Sequence, residues 1–579
     1  MDKQRKWQQC LFSGFIFLCA FVACYKMEQT SSAVIAGVTL LAHWLYRHVP
    51  IREQSPKTRR LCAAYTVMLS LALMVGKSVH YSGIMRGNRT ENTLDISPAI
   101  LICGGGLAVL LYPVLVAAAC FVKNHPARPF VRREENRSLF LGVWAVIVVL
   151  WAPYLLSFYP AGIVGDGALA LRQAMEPGVP SHAHWGVLHL YALKLFLWLG
   201  ETIKSSADFG VFLYAATQSL LFAGACAAVV YWVYRIGAPR WAVAGSVILY
   251  AASGFFASFG IAMWKDTLFS AAVMVCSLLL WKVYDSQTLR KSTAAALVLL
   301  TVFIGLWRNN GPFVVLFSLL LLLVVMRGNV GRKLLAVGAV CFALVMVIQG
   351  PFYSALGIQK DSISESSSVP LQQVAAVIGE DAPLTEEQEQ VLYSLLPKEK
   401  WQAWYCPTLS DDIKDNLDKQ YLQTHYGEFL KVWAQLLPGY FKTYVEAYLL
   451  QMLGYWQPGA WNGLYYDYWL GIQGTDWQGK DWFDLLTGNS FAEELERCCQ
   501  FIPSGTMVWV MLLSLTLILV QPGEKRKRLV PIMPLLACWL TMLLAAPIAY
   551  AYRYILMLAV ALPVFAALPF CHGEQHPDA

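Results

Sequence analysis

Ser97–Val122 reads SPAILICGGGLAVLLYPVLVAAACFV, twenty-six residues without a single charge. As a helix it would be about 39 Å long at 1.5 Å per residue, more than the ~30 Å hydrocarbon core of a bilayer. Its Gly104-Gly105-Gly106 lies inside the apolar run, where glycines serve close helix packing rather than phosphate binding. Working outward, comparable runs occupy 10–25, 31–46, 61–79, 139–158, 209–234, 241–258, 267–284, 292–307, 312–326, 334–351, 502–521, 529–547 and 554–570, fourteen in all. Composition agrees. Of the 579 residues, 57% are hydrophobic and 14% charged, and the mean hydropathy is +0.49. Ordinary soluble domains carry about 25% charge, and disorder needs low hydrophobicity with high charge. The expectation is an all-α polytopic membrane protein of about fourteen transmembrane helices.

Lys and Arg concentrate in cytoplasmic loops. With the N-terminus inside and 184–200 not crossing, the inside segments hold 25 basic residues, the short outside segments 10 and one long loop 9. Were 184–200 to cross, the run Lys525-Arg526-Lys527-Arg528 would lie outside. This segment carries His184, His189 and Lys194, and it reads as an interfacial or re-entrant helix on the outer side. The charged start, Lys3, Arg5 and Lys6, precedes an apolar run without a clear cleavage site and reads as an uncleaved first span. Both termini are expected in the cytoplasm of a multi-pass plasma-membrane protein.

Four regions follow: a four-span module (1–138), a membrane core with outer loop 159–208 (139–351), a long outer loop (352–501) and a three-span C-terminal segment (502–579). The long loop carries 21 acidic and 9 basic residues. Helical periodicity shows in 384–396 and 411–437. Aromatics crowd 455–482: Tyr455, Trp456, Trp461, Tyr465, Tyr466, Tyr468, Trp469, Trp477 and Trp482. Such a segment suits a carbohydrate or headgroup surface, or an ordinary helical cap with aromatics at headgroup level. Most of the fourteen cysteines sit in apolar runs and read as small hydrophobes. Pairing of Cys406 with Cys498 or Cys499 stays open. No GxxxxGK[ST], GxSxG, HExxH or CxxC occurs, and no nucleic-acid partner is expected. Asn88-Arg89-Thr90 is a glycosylation sequon in an outer loop.

Polar groups at the outer ends of spans are functional suspects, because charge there is costly. Asp166 stands between Gly165 and Gly167, past the Tyr159-Pro160 turn. It reads as a general base on an acceptor hydroxyl, as a metal ligand, or as a loop Asp satisfying turn amides. His182 and His184 share a face only on a strand; they read as substrate contacts or a helix cap, and a metal role would need further ligands. Lys265-Asp266 begins a span, either as a dipole-favoured terminus with a snorkelling lysine or as a phosphate-binding lysine beside a second carboxylate. Arg308 and Arg553 read as snorkelling anchors or as planar forks for phosphate.

Taken together these residues resemble the GT-C superfamily of membrane glycosyltransferases, and more closely an uncharacterised family of multi-span bacterial proteins within or near it. The segments are Phe158-Tyr159-Pro160 with Asp166, Met263-Trp264-Lys265-Asp266, Arg308-Asn309-Asn310-Gly311, Pro370-Leu371-Gln372-Gln373-Val374 and Leu453-Gly454-Tyr455-Trp456-Gln457-Pro458. They spread over roughly 150–560. Two positions depart from the superfamily pattern: Asp166 stands between glycines, and His182-Ala183-His184-Trp185 replaces a His-Pro-Pro helix start. The resemblance implies a polyprenyl-phosphate-linked sugar as donor and a cell-envelope glycan or lipid as acceptor, at the extracytoplasmic face. It implies Asp166 as catalytic base. Lys265, Asp266, Arg308, Arg553, His182 and His184 would be substrate or phosphate contacts, with a possible divalent cation at Asp166 and Asp266. A transporter or flippase of lipid-linked saccharides is the alternative.

Overall fold

The computed structural model describes residues 2–29, 31–80, 85–86, 89–90, 92–124, 133–163, 165–460, 480–489, 495, 498–521 and 525–571. Each of the fourteen apolar runs forms helix. In chain order the first helices are α1 (Asp2–Lys26), α2 (Ser32–His48), α3 (Pro56–Gly76), α4 (Pro98–Asn124) and α5 (Arg137–Ser157). There follow α6 (Gly165–Met175), α7 (Val187–Lys204), α8 (Ala207–Arg235), α9 (Arg240–Ala251), α10 (Gly254–Ile261), α11 (Lys265–Ser286), α12 (Lys291–Trp307), α13 (Gly311–Val325) and α14 (Gly328–Val347). Among the described residues eight helices are long and apolar enough to cross a membrane, or ten if each of two bent pairs counts as one span. The pairs are α9 with α10, bent by 50°, and Tyr552–Val560 with Leu562–Phe570, bent by 45°. The remaining four runs form shorter helices: α2, α12 and Ser504–Val520 have 17 residues each, and α13 has 15.

Local chemistry sets several of these boundaries. The Ser55 hydroxyl accepts from Thr58 N–H ahead of Pro56, Asn136 caps α5 at Leu139, and Ser206 caps α8 at Phe209. Where α10 ends inside the protein, its last carbonyls are met by a side chain. Gln218 Nε2 of α8 donates to the carbonyls of Phe259, Gly260 and Ala262. That satisfies groups which water cannot reach at membrane depth.

Glycines in α4 pack it against its neighbours. A Cβ on Gly104 would meet Leu71 of α3, and one on Gly106 would meet Val22 and Cys19 of α1. Helix α7 does not run the length of α8. His189, near its start, bonds Tyr214 of α8 at 3.1 Å, and Gly200 touches Gly210. Both contacts fall on the first turns of α8, so α7 lies along one end of the bundle. Its Tyr191, Leu195 and Trp198 form an exposed apolar stripe, as an interfacial helix requires.

Helix connections gather at two opposite ends. At one end Met263 N–H donates to Gly162 O, Lys442 pairs with Asp95, and Gly454 N–H donates to Ala549 O. At the other, Arg133 donates to Ala238 O, Arg327 N–H donates to Tyr284 OH, and Lys527 pairs with Asp285. Helix α11 joins the two, with Lys265 at the first end and Asp285 at the second.

The described part of the long loop is helical and has its own core. Ser368–Gly379, Glu386–Leu395, Tyr426–Leu436 and Phe441–Gln451 enclose Leu371, Val374, Leu392, Trp401, Phe429 and Tyr444. Lys414 is buried there between Glu365 (2.6 Å) and Asp411 (2.9 Å). All fourteen cysteines are thiols, so Cys406 forms no bridge to Cys498 or Cys499. Asn88, Trp461, Tyr465, Tyr466, Tyr468, Trp469 and Trp477 lie outside the described residues.

Candidate functional site

Five stretches far apart in sequence meet at the first end of the bundle: 159–186, 262–266, 307–311, 359–361 and 550–554. Two backbone features bring the first three together. Gly186 has φ +82°, and a Cβ there would run into Trp307 O, so the chain turns into α7 against the end of α12 only with glycine. A Cβ on Gly167 would come within 2.5 Å of Met263 O, so α6 sits directly on the strand-like 262–264. Asp166 is accordingly in the first turn of α6, where the helix dipole favours a carboxylate.

Asp166 Oδ2 pairs with Arg553 Nη1 at 2.5 Å, and 39% of its side chain is exposed. Asp266 Oδ1 pairs with Arg308 Nη1 at 2.9 Å, with only 1% and 8% exposed. The first pair is open and the second closed. Tyr554 lies between them, its ring 5.0 Å from the Arg553 guanidinium and 5.1 Å from that of Arg308. Arg553 also covers Trp264, and Arg308 covers Phe269. Lys265 Nζ donates to His184 O at 3.1 Å and lies 5.0 Å from the Trp185 ring. Such stacked cations are held in place while their charge stays available.

Partial burial of Asp166 acts to raise its pKa. The charges of Arg553 and Lys265 and the bond from Arg553 outweigh this and hold the carboxyl below the usual carboxylate range.

His184 takes part through its ring as well as its backbone. Its Nδ1 lies 3.2 Å from Asp361 Oδ1. Asn309 Nδ2 donates to His184 O at 2.9 Å and also to Asp361. Backbone bonds Gln359 N–H to Ser181 O and Ala183 N–H to Gln359 O zip the two strands that carry His184 and Asp361. Burial acts to raise the Asp361 pKa, but the hydrogen bond and charge of His184, with Lys265 and Asn309, lower it overall. His182 lies on this extended strand, its ring centroid 6.5 Å from that of His184. Its described anchoring is through its carbonyl, which accepts from Gln173.

All seven candidate residues thus reach one end of the molecule. Asp361 and the role of Asn309 escape sequence reasoning. Asp361 is one of 21 acidic residues in its loop, and no local pattern marks it out. Asp166 and Asp266 do not fit a divalent cation. Each is already neutralised by an arginine, Lys265 stands beside them, and among the described residues no group of three His, Cys, Asp or Glu side chains is arranged to hold a metal.

A family of unknown function (DUF6020) matches residues 183–579. His184, Lys265, Asp266, Arg308, Asp361 and Arg553 fall inside that match, and Asp166 precedes it. No curated protein matches, and no solved structure does.

Proposed function

The chain belongs to the DUF6020 family, and we propose that it is a glycosyltransferase moving a sugar from a polyprenyl-phosphate donor to a cell-envelope acceptor. The observation that carries this reading is the convergence of Lys265, Arg308 and Arg553 at one end of the bundle, above an apolar groove. The groove runs among α11 to α14, from Ile304 and Val314 on the side of the cations to Met326 and Leu334 toward the opposite end, with Val273, Thr301 and Leu322 between them. Ile304 is about one helical turn from Arg308. A phosphate carrying a long apolar chain matches that pairing: the Arg553 guanidinium and the Lys265 ammonium for the headgroup, over the closed Arg308, and an apolar slot for the tail.

The basic residues at the opposite end, among them Arg133, Arg235, Arg327 and Lys525 to Arg528, support placing that end in the cytoplasm. The site then faces outward, fourteen helices cross with α7 lying flat, and both termini are inside. In the reaction the acceptor oxygen attacks the anomeric carbon and the lipid phosphate leaves with the bonding electron pair. Arg553 and Lys265 meet the charge that develops on that phosphate. Asp166 occupies Arg553 before the donor arrives, so donor binding exchanges one anion for another. Arg308, closed against Asp266, holds the floor of the site.

The test uses purified protein in nanodiscs, a panel of radiolabelled undecaprenyl-phosphate monosaccharides and a cell-envelope fraction as acceptor. Wild type transfers label and Arg553→Gln does not. Movement of the labelled lipid between leaflets without transfer would replace this reading with a flippase.

A further inference from the structure

We infer that His184, oriented by Asp361 and Asn309, is the group that takes the proton from the acceptor hydroxyl. The inference rests on the proposed reaction class and adds to it a residue role that the sequence did not suggest. Its basis is geometric. Asp361 is ionised at neutral pH, and an ionised carboxylate only accepts hydrogen bonds. The ring nitrogen facing it, Nδ1 at 3.2 Å, therefore carries hydrogen. In the neutral ring that leaves Nε2 as a lone-pair acceptor. Among the described residues nothing hydrogen-bonds Nε2, and 33% of the side chain is exposed. A base whose second nitrogen is held by a carboxylate keeps one tautomer and one orientation.

Asp166 is less suited to the task. Its carboxylate is engaged by Arg553 at 2.5 Å in the free protein, and Lys265 also holds it below the usual carboxylate range, so it stays a weak base after the donor's phosphate takes Arg553. His184 is fixed at the same site from three directions. Lys265 and Asn309 both donate to its carbonyl, and Trp185 packs edge-on against its ring at 4.4 Å. The charged and titratable groups around the imidazole are Asp361, Lys265, Asp166 and His182.

The step balances as follows. The acceptor O–H bond breaks and its proton passes to Nε2. The oxygen forms the new bond to the anomeric carbon. The bond from that carbon to the phosphate oxygen breaks, its electron pair leaving with the lipid phosphate. The imidazolium is neutralised by Asp361 and returns its proton to water. Asp361 and Asn309 are positioning residues, because they act through His184.

The experiment compares wild type, His184→Gln, His184→Gly, Asp361→Asn and Asp361→Glu in nanodiscs, with the same donor panel and acceptor. Transfer rate against pH is measured beside undecaprenyl phosphate binding. His184→Gln is expected to lower kcat by about 10²–10⁴-fold, the usual contribution of a general base, with undecaprenyl phosphate Kd unchanged. The acid limb of the wild-type rate profile is absent in His184→Gln. Added imidazole restores part of the rate to His184→Gly. Asp361→Asn lowers kcat and Asp361→Glu recovers part of it, which a merely structural loss would not do. If His184→Gln keeps more than half of the wild-type kcat, or loses phosphate affinity with kcat intact, the inference is wrong and the glycosyltransferase reading stands. If wild type transfers from no donor in the panel, both fall together.

Discussion

Asp166 of the membrane core and Arg553 of the C-terminal segment, far apart in the chain, meet in an ion pair at 2.5 Å that leaves Asp166 39% exposed. The neighbouring pair, Asp266 with Arg308, is closed to solvent. Two chemically identical pairs, separated by one tyrosine ring, are therefore expected to behave differently.

Breaking the closed pair costs stability. Asp266→Asn leaves Arg308 buried without its counter-charge, a loss of about 3–5 kcal/mol for a buried pair. Replacing both, as Asp266→Asn with Arg308→Met, recovers most of it. Thermal unfolding in detergent reads this, and a double variant no more stable than the single would contradict it.

Breaking the open pair changes ligand affinity instead. Asp166→Asn removes the anion that competes for Arg553 and tightens undecaprenyl phosphate binding, on the order of tenfold for a close charge. Arg553→Gln weakens it by a similar factor. Titration of both variants decides the point, and a shift of both in the same direction would exclude the exchange.

Gly186→Ala disrupts the site from its backbone. Its φ of +82° and the approach of Trp307 O leave no room for a methyl group. A strained residue of this kind costs about 1–3 kcal/mol, and displacement of 182–186 removes transfer activity. A melting temperature equal to wild type with full activity would show that the turn tolerates a side chain.

Acid weakens the 184–361 contact. The Asp361 pKa lies below its unfolded value. Its stabilising contribution is fully present above the unfolded value and is lost as pH falls through the folded one. Below about pH 4, where free carboxyls titrate, the melting temperature of wild type should fall more steeply than that of Asp361→Asn. Parallel curves would mean that the pairing contributes nothing.

Orientation is open to labelling. Glu387 on the long loop is 71% exposed, and Arg526 lies at the opposite end of the bundle. Glu387→Cys should react with a membrane-impermeant maleimide in intact cells, and Arg526→Cys only after permeabilisation. The reverse pattern would put the site in the cytoplasm.

The helices were legible in the sequence because burial in lipid imposes long uncharged runs, and each of the fourteen runs forms helix. Segment 184–200 also forms helix, Val187–Lys204, and its His and Lys residues with the charge balance of everything after it are what argue against a crossing. Asp166, Lys265, Asp266, Arg308 and Arg553 stood out for a local reason: charge at the edge of an apolar run is costly. Asp361 carried no such mark, because an aspartate in an acidic, water-exposed loop is unremarkable until its partner is known.

The sequence by itself thus determined the membrane class, the helix positions and which charged residues lie at helix ends. Only the tertiary structure decided how those charges pair. Pairing depends on distances between residues hundreds of positions apart, and no periodicity encodes them. It joined Asp166 to Arg553 and Asp266 to Arg308, opened one pair and closed the other, and set Asp361 against His184.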